Sequence, residues 1–187
     1  MTSPIGSHAR STAAVAALGL NVVHAVGTEP PLDLASPVLG QRSLAKFVPV
    51  MCKPSVNFAG APWFAASHGI RAPYAVDPDL WMFHLKYADR DLLRDAADHR
   101  LRMVEADGRS RETQWGEGSE TLVGLLERIT SGVEPAGVPE FSPPTGKGLA
   151  ELVIRAGGGH RAPKGAQMQL METQPLVRIP ERFHGIV

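Results

Sequence analysis

The segment LWMFHLKYADRDLLRDAADHRLRMVEA, residues 80–106, contains the clearest structural pattern of the chain. Residues 80–87 form an apolar run long enough for a central strand, although such a run is also compatible with a helix. Asp89 is a favourable helix N-cap. After it, apolar residues recur at three- and four-residue steps: Leu92, Leu93, Ala96, Ala97, Leu101 and Val104. The segment therefore predicts a strand followed by a helix over residues 90–106.

Further elements are predicted on both sides of this segment. Ser119 is the expected N-cap of a second helix, Glu120–Ile129, which Gly132 closes. The sequence Asp77-Pro78-Asp79 is a turn signal that precedes the central strand. The other predicted strands are short and cover residues 20–26, 44–50, 61–69 and 176–179. Together these elements predict an α/β to α+β fold with a small mixed sheet.

Proline and glycine interrupt the periodic pattern after the second predicted helix. The chain has 187 residues, with 19 glycines and 16 prolines. We therefore predict a loose N-terminus over residues 1–17, an α/β domain over residues 18–131, and a Pro/Gly-rich linker with an irregular tail over residues 132–187.

The overall charge and the cysteine content exclude several classes of function. The 19 basic and 19 acidic side chains balance, so no general attraction to phosphate backbones is expected and nucleic acid is not a predicted partner. No stretch approaches the roughly 18–20 apolar residues of a membrane span. Cys52 is the single cysteine, which excludes an internal disulfide and a thiolate metal cluster. A cytoplasmic location is expected.

Two histidines and two aspartates form a candidate metal site. His68 follows an aromatic-rich predicted strand, and His84 lies in the central apolar run. Asp77 and Asp79 lie between them in the sequence. Imidazole and carboxylate groups are ligands of divalent cations, and Mn²⁺ or Mg²⁺ is the expected ion. The alternative for each histidine is an ordinary structural role.

Aromatic and basic residues near these histidines are candidates for substrate binding. Trp63 and Tyr74 could stack on a sugar ring and hydrogen-bond its hydroxyl groups. Lys53 and Lys86 could contact a diphosphate. Core packing for the aromatic residues and a solvated surface for the lysines are the structural alternatives.

The order of several short pieces resembles a known family. The pieces are Gly19–His24, Pro37–Arg42, Met51–Pro54, Pro62-Trp63, Ser67-His68-Gly69 and Leu80–Lys86. An arginine, a Lys-Pro, a tryptophan, a histidine and a His-Leu-Lys follow one another before a helix. This order resembles the carboxyl-terminal half of bacterial family 2-like glycosyltransferases, whose catalytic domain is of the GT-A type.

The resemblance implies a partial GT-A-like domain. It implies sugar transfer from a nucleotide sugar to an acceptor, with His68 or His84 completing the metal or diphosphate contacts. The family's nucleotide-binding half, which carries an Asp-x-Asp motif, has no counterpart in the sequence. The implied protein is therefore truncated or incomplete and inactive alone. Its expected partners are small sugar substrates, and either the missing half or a second copy of the chain.

Two other functions are compatible with the same residues. The first is a carbohydrate- or partner-binding module that retains the aromatic residues and catalyses nothing. The second is a small metal-dependent hydrolase that uses His68 and His84 with Asp77 or Asp79.

Overall fold

A small sheet and helices make up the described part of the chain. The computed structural model describes residues 12–64, 69–108, 116–155 and 166–186. Within these ranges the strands are β1 (Ala14–Val23), β2 (Leu44–Phe47), β3 (Pro54–Asn57), β4 (Tyr74–Tyr87) and β5 (Leu176–Arg178). The α-helices there are α1 (Arg90–Asp107), α2 (Ser119–Thr130), α3 (Lys147–Arg155) and α4 (Ala166–Thr173). The predicted combination of a small sheet with helices is confirmed.

The long strand β1 organises the sheet. Its second half pairs antiparallel with β2, and its first half pairs antiparallel with β3. Strand β4 also pairs with β1, and β5 pairs antiparallel with β2. Almost every residue of β1 is buried, so its sequence is a continuous apolar run rather than an alternation. The missing alternation explains why the predicted strand starts at residue 20, six residues after the true start of β1 at Ala14.

The backbone comes unusually close to β1 at Gly19. The Gly19 carbonyl accepts a hydrogen bond from the Val48 N–H at 3.1 Å. The Gly19 N–H donates to the Cys52 Sγ at 3.4 Å. A Cβ atom at Gly19 would lie 2.3 Å from both the carbonyl carbon and the carbonyl oxygen of Met51. Glycine is therefore required here for close approach of two backbone segments.

Burial raises the pKa of the Cys52 thiol to about 11.

The predicted turn at Asp77-Pro78-Asp79 is wrong, because these residues lie inside β4. The Asp77 Oδ1 accepts a hydrogen bond from the Asp79 N–H at 2.9 Å, and the Pro78 carbonyl accepts one from the Trp81 Nε1 at 3.1 Å. Proline has no N–H to offer a neighbouring strand. These local side-chain bonds satisfy backbone groups at the proline while the chain stays extended.

Helix α1 confirms the prediction from its cap and apolar spacing. The Asp89 side chain accepts hydrogen bonds from the Asp91 and Leu92 N–H groups, and Gly108 ends the helix with a left-handed φ of 74°. Helix α2 begins one residue earlier than predicted, after Gly118 rather than after a Ser119 cap. The two helices pack against each other. None of the helices in the described ranges is long and apolar enough to cross a membrane.

The tail contains regular structure that was not predicted. Helices α3 and α4 lie in the part expected to be irregular, so that prediction was wrong for these stretches. Leu152 of α3 and Met171 of α4 are buried, and their apolar surface favours helix formation despite the nearby glycines. Strand β5 confirms the predicted late strand.

The chain divides into two compact units. The first comprises Met1–Gly19, Val48–Met82 and Ser142–Gln167, and the second comprises Leu20–Phe47, Phe83–Phe141 and Met168–Val187. Buried apolar residues of the first unit include Leu18, Val48, Ile70 and Leu152. Those of the second include Leu20, Leu44, Leu93, Leu122, Leu126 and Ile179.

Candidate functional site

The second unit contains a buried arginine with a complete set of partners. Arg42 is only 1% exposed. Its Nε donates to the Ala88 carbonyl, its Nη1 to the Gln41 carbonyl at 2.8 Å, and its Nη2 to the Asp89 Oδ2 at 3.3 Å. The Glu29 Oε2 lies 3.8 Å from Nε. Burial lowers the pKa of Arg42, and the two carboxylates oppose that effect.

The groups around Arg42 are satisfied as well. The Glu29 carboxylate accepts hydrogen bonds from the Ser43 N–H and hydroxyl at 2.9 and 2.7 Å, and from the Ala25 N–H at 2.9 Å. The His24 Nδ1 accepts from the Arg90 N–H at 3.2 Å. Its Nε2 therefore carries the hydrogen and donates to the Glu29 carbonyl at 3.0 Å. Such a network, in which every side-chain nitrogen of Arg42 has a partner, stabilises the fold.

Asp89 connects this network to the start of α1. Its Oδ1 accepts from the Asp91 and Leu92 N–H groups at 2.9 and 3.0 Å, and its Oδ2 accepts from the Leu32 N–H at 2.9 Å. Burial alone would raise the pKa of Asp89, but the hydrogen bonds outweigh burial and the pKa is lowered. The ionised carboxylate is therefore the form that the fold stabilises.

Replacing Asp89 with asparagine tests this balance through pH. The amide nitrogen would place a donor against the donors of Leu32 and Arg42. The folded-state pKa of Asp89 lies below the unfolded-state pKa of about 3.9. The stability that ionised Asp89 contributes is therefore fully present above the unfolded-state pKa. It is lost as the pH falls through the folded-state pKa. We expect Asp89→Asn to be less stable at about pH 6, with a difference that shrinks below about pH 4. Urea unfolding across this range measures it, and a pH-independent difference would contradict the assignment.

A second polar cluster in the same unit contains buried atoms of Arg100 and Tyr87 that have no hydrogen-bond partner among the described residues. The Arg100 Nε and Nη2 atoms and the Tyr87 hydroxyl each expose less than 1 Å², and none has a hydrogen-bond partner in the described part of the chain. The Lys86 Nζ lies 5.1 Å from the centroid of the Tyr87 ring. We call Lys86, Tyr87, Arg100 and Glu117 the Arg100 cluster. Buried polar groups are normally hydrogen-bonded, so its unpaired donors require an explanation.

The ionisable groups of the Arg100 cluster influence one another. The pKa of Lys86 is lowered to about 8, mainly by burial and further by the positive charge of Arg100, while Glu117 partly opposes both effects. Burial raises the pKa of Tyr87 to about 12, so its hydroxyl keeps its hydrogen at neutral pH. The unpaired donors of Arg100 favour an incoming anion.

The predicted site residues are distributed over both units. His84 and Lys86 belong to the second unit, where they lie two positions apart on β4 and therefore on one face of the strand. Asp77 and Asp79 belong to the first unit. His68 lies outside the described residues. Within the described residues, no group of three or more His, Cys, Asp or Glu side chains could hold a metal ion.

The three other predicted substrate contacts belong to the first unit. Trp63 is 43% exposed, and its backbone forms an isolated bridge with Ile70. Tyr74 is buried, and burial raises the pKa of its hydroxyl to about 12. Burial lowers the pKa of Lys53. Of the two aromatic residues, Trp63 is the exposed one, and exposure is required for stacking on a sugar.

Arg100 and Tyr87 were not predicted as site residues, although the sequence contains a signal for Arg100. The buried residues of α1 are Leu93, Ala97 and Val104. Arg100 falls three positions after Ala97 and four before Val104, which places it on the same stripe. A charged residue on such a stripe, half-buried and with buried Nε and Nη2 atoms, is unusual.

Comparison with known proteins provides no family for this chain. No family model matches it, and neither a curated protein nor a solved structure does. The chemistry of the Arg100 cluster is therefore the basis for a functional proposal.

Proposed function

We propose that the second unit binds the phosphate group of a small molecule through the Arg100 cluster. The supporting observation is the guanidinium edge of Arg100, whose Nε and Nη2 atoms are buried without partners among the described residues. This edge is the fork that binds two oxygens of an oxyanion at once. A buried donor without a partner costs about 1–3 kcal/mol. A bound anion would remove that cost.

Phosphate fits the remaining groups better than a carboxylate does. A carboxylate has two oxygens, and the Arg100 fork would bind both, so any other donor would have to share one of them. A phosphate has further oxygens for the Tyr87 hydroxyl and the Lys86 ammonium. The positive charge of Arg100 disfavours a metal ion.

A glycosyltransferase-like role is the second candidate. Lys86, a candidate diphosphate contact, is a member of the Arg100 cluster. His84, to which the family resemblance gives a metal or diphosphate contact, lies two positions away on β4. A nucleotide sugar is one ligand that carries such a phosphate group. In this proposal the second unit binds the donor, which transfers its sugar to an acceptor.

Phosphate binding should raise the melting temperature of the protein and depend on Arg100. A ligand at 100 times its Kd stabilises the folded state by about 2.7 kcal/mol, which is a shift of roughly 5–11 °C for a chain of this size. We expect this shift with inorganic phosphate in the parent protein and its loss in Arg100→Gln. The matched control is Arg128→Gln. The Arg128 side chain is largely exposed, and it pairs with the exposed carboxylate of Glu172. Equal shifts in the parent and Arg100→Gln would refute the proposal.

Repeating the phosphate titration at several pH values tests whether Lys86 contributes to binding. Its pKa is lowered to about 8, so its positive charge is lost as the pH rises through that value. Phosphate affinity should therefore fall between about pH 7 and pH 9, and Lys86→Met should remove most of this dependence. A nucleoside diphosphate sugar that binds no more tightly than phosphate would exclude the second candidate and leave the first intact.

A further inference from the structure

A second set of unpaired groups lies on the sheet of the second unit. Asn21 of β1 and Lys46 of β2 are directly opposite in the antiparallel register. Opposite residues place their side chains on the same face, with Cβ atoms about 5 Å apart. Asn21 is 0% exposed and Lys46 is 4% exposed. The two polar side chains thus start from neighbouring positions in the interior.

One hydrogen bond is found for these two side chains in the described part of the chain. Neither the Nδ2 nor the Oδ1 of Asn21 has a hydrogen-bond partner in the described ranges. The Lys46 Nζ donates to the Glu172 carbonyl oxygen at 3.3 Å. Burial lowers the pKa of Lys46, and the charge of Glu172 opposes this effect. An ammonium group has three donors and an amide has two, so most of the donors here have no acceptor.

Packing does not account for this pair. The buried charge at Arg42 shows how the same unit satisfies a cation, with two carboxylates and two carbonyl groups around it. Lys46 has no carboxylate of that kind within ion-pair distance in the described part of the chain. Apolar residues of similar volume would stabilise such a position better, because unpaired buried polar groups are costly.

We infer that Asn21 and Lys46 bind a carboxylate group of a small molecule at a position separate from the Arg100 cluster. One uncompensated ammonium matches a monoanion, and two carboxylate oxygens can accept from the ammonium and the amide together. The two Asn21 atoms each expose less than 1 Å². Entry of the carboxylate therefore requires neighbouring side chains to move.

Lysine NMR separates this inference from the phosphate proposal. The chain has five lysines, Lys46, Lys53, Lys86, Lys147 and Lys164, so labelling with ¹³C at the ε carbon yields few signals, and Lys46→Arg assigns that of Lys46. We expect acetate to shift the Lys46 signal saturably and the Lys86 signal little, with phosphate acting mainly on Lys86. A Lys46 signal that does not shift up to roughly 0.1 M acetate would overturn the inference. This concentration is about 100 times the Kd of a typical weak ligand.

A double substitution provides an independent readout. Asn21→Leu with Lys46→Met removes the unpaired groups and keeps the volume. Without ligand, we expect the variant to melt a few degrees higher than the parent, by roughly 2–4 °C for each kcal/mol of stability gained. We also expect acetate to raise the melting temperature of the parent but not that of the variant. An acetate-induced rise equal to that of the parent would contradict the inference. So would a lower melting temperature without ligand, because the pair would then serve the fold.

Discussion

Replacing Arg42 with methionine is expected to lower the free energy of unfolding by about 3–5 kcal/mol. The substitution keeps an unbranched side chain but removes the cation from a site with 0% side-chain exposure. Glu29 and Asp89 then remain as buried carboxylates without a positive charge between them. The Ala88 carbonyl also loses its donor. Chemical denaturation monitored by tryptophan fluorescence measures the loss.

An exposed arginine is the matched control for Arg42. The Arg128 Nη2 lies 3.0 Å from the Glu172 Oε1, and both side chains are more than half exposed. Exposed ion pairs contribute about 0–1 kcal/mol, so Arg128→Met should have a small effect. Similar losses for the two variants would show that burial does not determine the contribution of Arg42.

Gly19→Ala is expected to have the second large effect, a loss of about 3 kcal/mol or more. The new Cβ would lie 2.3 Å from two backbone atoms of Met51, and backbone cannot rotate away as a side chain can. Strand β1 and the turn Pro49–Met51 would have to separate, which breaks the bond from the Val48 N–H. Thermal unfolding should show a midpoint lower by roughly 6–12 °C.

Gly137→Ala controls for the intrinsic effect of adding a methyl group. Gly137 ends a short 3-10 turn, has no positive φ, and no atom lies within 4 Å of the added Cβ. Its substitution should change stability by less than about 0.5 kcal/mol. If Gly137→Ala and Gly19→Ala were equally destabilising, the close approach at Gly19 would not be the cause.

Local signals in the sequence predicted the elements that depend on local contacts. Helix α1 and its Asp89 cap were predicted because capping and a three- to four-residue period act within one or two turns. The true start of β1 was missed because burial on both faces removes the alternation that marks a strand. The tail helices were missed because composition outweighed the short apolar stripe in α3.

The candidate site could be predicted only in part. Lys86 was selected as a basic residue near the two histidines, and it belongs to the Arg100 cluster. The partnership with Arg100 depends on how α1 folds back after β4, which no local pattern specifies. The pairing of Asn21 with Lys46 depends on the register between two strands, and a shift of one residue would place them on opposite faces.

The reactivity of the Cys52 thiol reports local opening of the folded protein. It is the single cysteine of the chain, it is 1% exposed, and its pKa of about 11 keeps it protonated and unreactive at neutral pH. A thiol reagent can therefore modify the folded protein only during excursions that expose the residue. The rate of labelling therefore measures local opening of the first unit without an engineered residue.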